Sequence, residues 1–458
     1  MGIPLVLRMT KSMPFRLRAG FAALLLLGLA ACASNETPPP APAPAPIAPV
    51  EVTPPEPVAP VPTRPARDAS KFLSPAFLRG HDAVRVALIL PFNSTNARVK
   101  ELVSSMANAA QLALFEFQAK DILIMRYDSG TDAAAAAKAS QQAIDQGADI
   151  ILGPLFASSV AGIAPVASKA QVPVVAFSTD SATAGNGVYL LSFPPDQDVK
   201  RIVAYAMSQG LNNFAELVPQ GAYGRRASDA FESEVRANGG KIAKVAAYSN
   251  DPAQMENAIR SIIGAGAVRQ TVATPGADAE VDPGTGAGAT PATPAPTLPF
   301  NAVFIPDGAS SLKGIASLLA EYGVSSTNAR FLGTGLWDDP SLDDVPALAN
   351  GWYPAPPSEG QAQFASRYQQ VYGAAPARLA GLAYDAMSLA IVLSRQGGDR
   401  FTTTSLTNPD GFAGIDGVFR FAPNGLVERG LAVYEIHPGG ATMIDPAPAS
   451  FKAQAAGY

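Results

Sequence analysis

From Val84 onward the chain alternates short apolar runs with longer segments of helical periodicity, and this alternation restricts the fold more than any other feature. "VRVALILPF" (84–92) is almost continuously aliphatic, as expected of a strand buried on both faces. "VKELVSSMANAAQLALFEFQA" (99–119) spaces its apolar residues for one helical face. The order then repeats: strand "DILIMRYDS" (121–129), helix 132–147, strand "DIILGPL" (149–155), helix 158–170, strand "VPVVAFS" (172–178) and "VYLLSF" (188–193). Gly147 occupies a place suited to a left-handed helix terminus. Strands separated by helices run parallel, with the helices covering both sheet faces. The expected fold class is therefore α/β.

A second set in the same order follows. It comprises helix 199–210, strand 214–219, helix 223–240, strand 241–249, helix 252–265, strand "NAVFIPD" (301–307), helix 309–322 and "RFLGTGLW" (330–337). Two doubly wound units imply two similar lobes, with the carboxyl ends of both sets of strands facing one crevice. Residues 270–299, "QTVATPGADAEVDPGTGAGATPATPAPTLP", lack periodicity and apolar bulk and read as a disordered surface insertion. Helices are expected at 360–373 and 378–398, and strands at 417–425 and 431–440. The "APNG" between those strands is a hairpin signal.

Composition removes most chemistries. A net charge of −5 and the lack of any basic run with interleaved aromatics exclude a nucleic-acid partner. One cysteine and two histidines cannot build a Cys/His metal cluster. His81 lies beside a linker and His437 near the end of the chain, and both read as surface residues. "GPLFASS" is no phosphate loop, since no Gly-Lys-Ser/Thr closes it. The chain is not expected to be an enzyme, and no cofactor is expected.

The first 80 residues have a different texture. Arg8, Lys11, Arg16 and Arg18 precede an apolar run of 11 residues, Phe21 to Ala31. That is too short to span a bilayer, which needs about 20 helical residues, and it has the form of a secretory signal. Leu29-Ala30-Ala31-Cys32 resembles the bacterial lipobox. The resemblance implies cleavage before Cys32 and acylation there, an anchor stable because it carries more than one chain. Ala33 is not the Asp that commonly retains such lipoproteins at the inner membrane, so the inner leaflet of the outer membrane is expected. From Pro38 to Pro65, 13 of 28 residues are proline. Such a segment favours polyproline II and reaches about 80–90 Å when extended, suiting a spacer between anchor and body.

"GADIILGPLFASS" (147–159), "VPVVAFST" (172–179), the Tyr-Gly of "AYGRRASDAFESEVRANGGKI" (222–242) and "LAYDAMSLA" (382–390) together resemble the type I periplasmic binding protein fold, in its branched-chain amino-acid receptor form. The resemblance implies a signal at 1–31, a lipidated Cys32 with linker to 80, lobe one at 81–195 and 338–413, lobe two at 196–337 and 414–446, and a tail at 447–458. It implies Ser158, Ser178, Thr179 and Tyr223 as candidate crevice ligand-binding residues. Capping a helix end is the alternative use of the hydroxyls. Receptors of this kind meet the ligand's ammonium with an acid at the glycine-rich strand end of lobe two. "GTGLW" (333–337) offers none, although Asp180, Asp307 or Asp338 could serve.

The same fold is used by penicillin-binding protein activator lipoproteins. That resemblance implies a partner, a bifunctional penicillin-binding protein, whose peptidoglycan synthesis the chain would stimulate. The helical repeat domain some activators carry ahead of this body is not seen in residues 1–83. Ala33 and the proline tether favour the activator. The alternative is a receptor that delivers amino acids or similar solutes to an ABC transporter.

Overall fold

Every residue of Val84–Leu90 (β1) is buried, and its alternate side chains enter two different cores. Val84, Val86, Leu88 and Leu90 share a core with Val103, Met106 and Leu112, while Ala87 and Ile89 meet Ala136, Ala139, Val160 and Ile163. The period of two in the strand divides its residues between helix layers on opposite faces. The computed structural model describes Leu78 and residues 83–264, 268–269 and 296–452, all within one unit spanning residues 64–458. Cys32, its leader, the proline tether and most of the 270–299 insertion lie outside the described residues.

Lobe one continues with α1 (Ala97–Glu116), β2 (Ile122–Asp128), α2 (Ala133–Asp145), β3 (Ile150–Leu152), α3 (Ala157–Lys169), β4 (Val174–Ala176) and β5 (Val188–Leu190). Its five strands are parallel in the order β2-β1-β3-β4-β5. Asn96 caps α1 and Asp132 caps α2 through side-chain oxygens, which satisfies backbone donors at the helix starts. Gly147 follows α2 at φ +82°.

The chain then enters lobe two with α4 (Pro195–Ser208), β6 (Asn213–Pro219), α5 (Ala222–Ala237), β7 (Lys241–Tyr248), α6 (Pro252–Ile263), β8 (Ala302–Phe304), α7 (Ala309–Glu321), β9 (Arg330–Leu332) and β10 (Trp352–Ala355). It returns to lobe one for α8 (Ser358–Tyr372), α9 (Ala380–Ser394), α10 (Thr403–Leu406), β11 (Phe412–Gly414), β12 (Gly417–Phe421) and β13 (Val427–Arg429). Its last two strands, β14 (Ala432–His437) and β15 (Gly440–Asp445), are in lobe two. The second sheet has seven strands in the order β15-β14-β10-β9-β8-β6-β7. β14 and β15 are antiparallel to their neighbours, and the remaining strands are parallel.

Three boundaries differ from those expected. β10 pairs with β9 through Trp352↔Leu332 and along its whole length with residues 432–435 of β14, so residues 338–355 belong to lobe two and the second crossover moves to Pro356–Pro357. Phe419, Phe421 and Val427 join the lobe-one core, and Leu190 N–H donates to the Gly425 carbonyl at 2.8 Å. Residues 414–429 therefore belong to lobe one, and the third crossover moves to Gly430–Leu431. The expected tail is in part folded. Phe451 is buried beneath the Arg420 guanidinium at 4.5 Å, and Lys452 pairs with Asp410 at 2.8 Å. The chain thus returns to lobe one a final time.

Candidate crevice site

In each sheet the first strand of the lobe lies between its two successors, so its carboxyl end is a topological switch point where open α/β sheets bind ligands. On lobe one this edge is built by "GPLFASS" and "AFST". An added methyl at Gly153 would lie 2.1 Å from the Ile89 carbonyl oxygen, and the φ of +100° disfavours any larger residue. Glycine there lets the loop turn tightly across β1 towards α3. Phe156, the residue before α3, supplies no side-chain cap, so the first N–H groups of α3 lack a capping side chain. Ser158 is exposed on that first turn. Neighbouring Ser159 is fully buried, and its hydroxyl has no partner among the described residues.

Ser178 and Thr179 follow β4, which pairs directly with β3. Ser178 is buried, and its hydroxyl accepts the Asp180 N–H at 3.1 Å. Asp180 in turn accepts from Ala182 N–H at 3.1 Å. Thr179 is exposed, and its carbonyl accepts from Arg226 Nη1 of lobe two at 2.7 Å. The structure therefore brings Thr179 onto the helix that carries Tyr223. Ser158 lies on the same edge of lobe one, with no hydrogen bond to lobe two among the described residues.

The lobe-two wall is α5 and the loops after β6, β8 and β9. Gly224 fixes how closely α5 approaches β6, because an added methyl would lie 2.0 Å from the Pro219 carbonyl oxygen. That close seat places Tyr223 so that its hydroxyl donates to Thr334 Oγ1 at 2.9 Å. Burial, followed by the carboxylate of Asp198, holds this phenol well above its usual pKa, so it remains a donor. Tyr248, fully buried, donates to Asp307 Oδ2 at 2.7 Å, and Gly308 N–H donates to Asp307 Oδ1 at 2.7 Å. Arg226 closes on Asp196 with Nε and Nη2.

Sequence reasoning missed Asp196, Asp198, Arg226, Tyr248 and Thr334. Asp198 supplies an acid to the glycine-rich strand end that lacks one of its own, since Gly335 N–H donates to Asp198 Oδ2 at 2.9 Å. Burial raises this carboxyl to about 7, against the pull of the Gly335 N–H and Arg429. The one available signal was "PPDQD", two acids at a helix start behind prolines. Of the expected alternatives, Asp307 is the one joined to a crevice tyrosine; Asp338 is exposed beyond the Trp337 turn. His437 lies on β14 with Nε2 at 3.1 Å from Glu435.

"LAYDAMSLA" has a supporting role here. Asp385 is buried in α9 and accepts Ile415 N–H at 2.8 Å, holding the turn between β11 and β12. Burial raises its carboxyl to about 7.

A two-lobed α/β body whose switch points face each other is the architecture of a binding protein. The Periplasmic binding protein family model matches residues 83–441, and the chain belongs to that family. Among solved structures, a protein of Rhodospirillum rubrum named for a branched-chain amino acid ABC transporter is similar. It is 18% identical, with a TM-score of 0.63 over 79% of this chain and 100% of that one. An ABC transporter substrate-binding protein from Sphaerobacter thermophilus is 15% identical, with a TM-score of 0.58 over 80% and 98%. These likenesses concern the fold.

Two curated relatives are also similar. One is an uncharacterised protein of Rickettsia prowazekii, 23% identical over 183 residues, which are 39% of this chain and 47% of that protein. The other is the penicillin-binding protein activator LpoA of Vibrio antiquarius, 26% identical over 149 residues, 31% of this chain and 24% of that protein. The chain thus spans about half and about a quarter of these relatives' lengths. No described helix is long and apolar enough to cross a membrane.

Proposed function

We propose that the chain is a periplasmic lipoprotein, anchored through Cys32, that binds and activates a peptidoglycan synthase of the penicillin-binding protein class by protein contact. The observation that carries this reading is the pairing inside the crevice. Arg226 joins Asp196 of its own lobe to the Thr179 carbonyl of the other, Tyr223 is spent on Thr334, and Asp307 on Tyr248 and Gly308 N–H. A small zwitterion would have to displace these pairs; for fully buried Tyr248, a polar group left unpaired costs about 1–3 kcal/mol. A lobe-two wall whose polar groups are already paired, and tied to lobe one through Thr179, favours a body that works through its outer surface. Similarity to LpoA, Ala33 and the proline tether agree with this reading.

The test is glycan polymerisation by a bifunctional penicillin-binding protein, with and without the full chain purified in detergent. Stimulation at stoichiometric concentrations is expected, and an unchanged rate together with no measurable binding overturns the reading.

The solute-receptor alternative is favoured by one observation. The uncapped start of α3, with Ser158 exposed on it beside Thr179, is a ready site for a carboxylate. A rise in melting temperature with leucine-like amino acids would support the receptor and count against the activator.

A further inference from the structure

The lobe-two sheet ends on an open edge, and one strand further in lies an unused carboxyl oxygen. β7 is the outermost strand and, at eight residues, the longest of those described. The Tyr248 carbonyl accepts Gln220 N–H at 2.7 Å and so faces β6. Backbone groups alternate sides along a strand. Val245 and Ala247 therefore turn their N–H and carbonyl groups outward, where no described strand pairs with them. Edge strands are commonly guarded by charge. Here Lys244 pairs with Ala215, which belongs to the core under α6, so that guard stands on one face of the sheet. On the other face Val245 is 49% exposed, and Ala247 is exposed with it.

Val245 pairs in register with Glu216 of β6, so the two side chains share the face that α5 covers. Ser228 of α5 donates to Glu216 Oε2 at 2.7 Å, while Oε1 is buried without a partner among the described residues. Towards β8 the carboxyl is walled in, because its neighbour Phe304 stacks on Phe231 with ring centroids 4.1 Å apart. Towards β7 its neighbour is the half-exposed Val245. Asp229 and Glu232, on the same helix as Ser228, add their charges to this flank. Glu232 also lines a shallow groove between α5 and β7 with Val235, Arg236, Lys241 and Ile242. Arg236 is paired with Glu232 at 3.5 Å, and Lys241 closes the groove at the far end of the strand.

We propose that an extended segment of a partner protein adds to β7 as a further strand and sets a lysine or arginine opposite Val245, its head group reaching Glu216 Oε1. Strand spacing decides the residue type. Neighbouring strands lie about 4.8 Å apart, so Glu216 stands two spacings, about 10 Å, from an added strand. Serine or asparagine stops short of it. The long stems of lysine and arginine lie along Val245 and carry the charge across. A cation there gives the buried oxygen a donor and complements the carboxyls of Glu216, Asp229 and Glu232. Main-chain bonds to Val245 and Ala247 supply affinity, and the basic side chain fixes the register. The inference rests on this edge alone and holds under either reading of the function.

Random octapeptides displayed on phage and panned against the full chain in detergent test it, with the selected peptides then synthesised and titrated. They are expected to alternate β-branched residues and to share one lysine or arginine. Replacing that residue by norleucine should weaken binding at least about thirtyfold, as for a buried charge pair that loses a partner. Glu216→Gln keeps an acceptor for Ser228. It should bind the basic peptide as weakly as the parent binds the norleucine form, and norleucine should cost it nothing further. Val245→Pro removes the outward N–H, leaves the ladder to β6, and should abolish binding with the melting temperature nearly unchanged. Failure to select any peptide, binders without a shared basic residue, or a basic preference that survives in Glu216→Gln overturns the proposal. So does a dimer of the parent chain that Val245→Pro dissociates, which would assign the edge to a second copy. Glu216→Gln decides the matter alone if Val245→Pro does not fold.

Discussion

The Arg226 guanidinium of α5 donates to the Thr179 carbonyl at 2.7 Å, and in doing so links the helix that carries one wall of the crevice to the strand end that forms the other. The same guanidinium is forked against Asp196, which fixes the direction in which it points.

Arg226→Ala is expected to loosen the closed arrangement while costing the fold little. The pair with Asp196 is partly exposed, and pairs of that kind contribute about 0–1 kcal/mol. Hydrogen exchange should accelerate at residues 179–184 and in the first turn of α5, with the melting temperature nearly unchanged. Arg226→Lys should fall between parent and Ala, because an ammonium lacks the fork that reaches both partners at once. Unaltered exchange in Arg226→Ala would rule out a linking role.

Glu216 makes stability depend on pH. It is fully buried under α5, with Ser228 donating to Oε2 at 2.7 Å and Oε1 without a partner. Burial raises its carboxyl to about 8 from 4.5. Below pH 4.5 the group is protonated in folded and unfolded chains and costs nothing. Between 4.5 and 8 the unfolded chain releases the proton while the folded one retains it, so stability falls as pH rises. Glu216→Gln removes this loss and should gain, relative to the parent, on the order of a few kcal/mol by pH 8.5 and much less at pH 4.5. Urea unfolding at both pH values measures the difference, and an equal difference at both would exclude the assignment.

Gly224→Ala should destabilise by roughly 1–3 kcal/mol, the usual cost of forcing extra volume into a packed contact. The new methyl meets the Pro219 carbonyl at 2.0 Å, so α5 must lift and carry Tyr223 away from Thr334. Gly314→Ala is the matched control. It lies inside α7 with 3.7 Å to Met255 Sδ, and should gain up to about 1 kcal/mol from helix propensity. Urea midpoints that move together would contradict both assignments.

Cys32→Ser tests the anchor. Metabolic labelling with a palmitate analogue should mark the parent chain and leave the variant unmarked, and the variant should leave the membrane fraction. Labelling of Cys32→Ser would place any lipid elsewhere.

How much of this was legible depended on whether the deciding contact was local. Val84–Leu90 declared itself because a doubly buried strand needs apolar side chains on both faces. The order of strands and helices through β9 followed from periodicity alone. β10 did not, because its four residues include Pro354, and a strand that short reads as a loop until β14 pairs with it. Tyr223 stood out beside Gly224 in "AYG", but its partner Thr334 is 111 residues away. Asp198 gave no sign that it would serve a loop 137 residues further on. The "LAYDAMSLA" motif pointed to the fold, while its aspartate holds a turn between β11 and β12 rather than lining the crevice.

The return of Phe451 to lobe one sets the timetable for folding. Lobe one needs Phe419, Phe421 and Val427 for its core, and Phe451 covers its far edge only when the chain is nearly complete. Lobe two needs β14 to pair with β10 before its sheet is whole. The core of Ala87, Ile151, Val160 and Val174 can close early, whereas the core on the other face of β1 and the lobe-two sheet wait until almost the entire body has left the ribosome. The last parts of both lobes are therefore completed by the same C-terminal stretch of chain, so folding of the two lobes ends together.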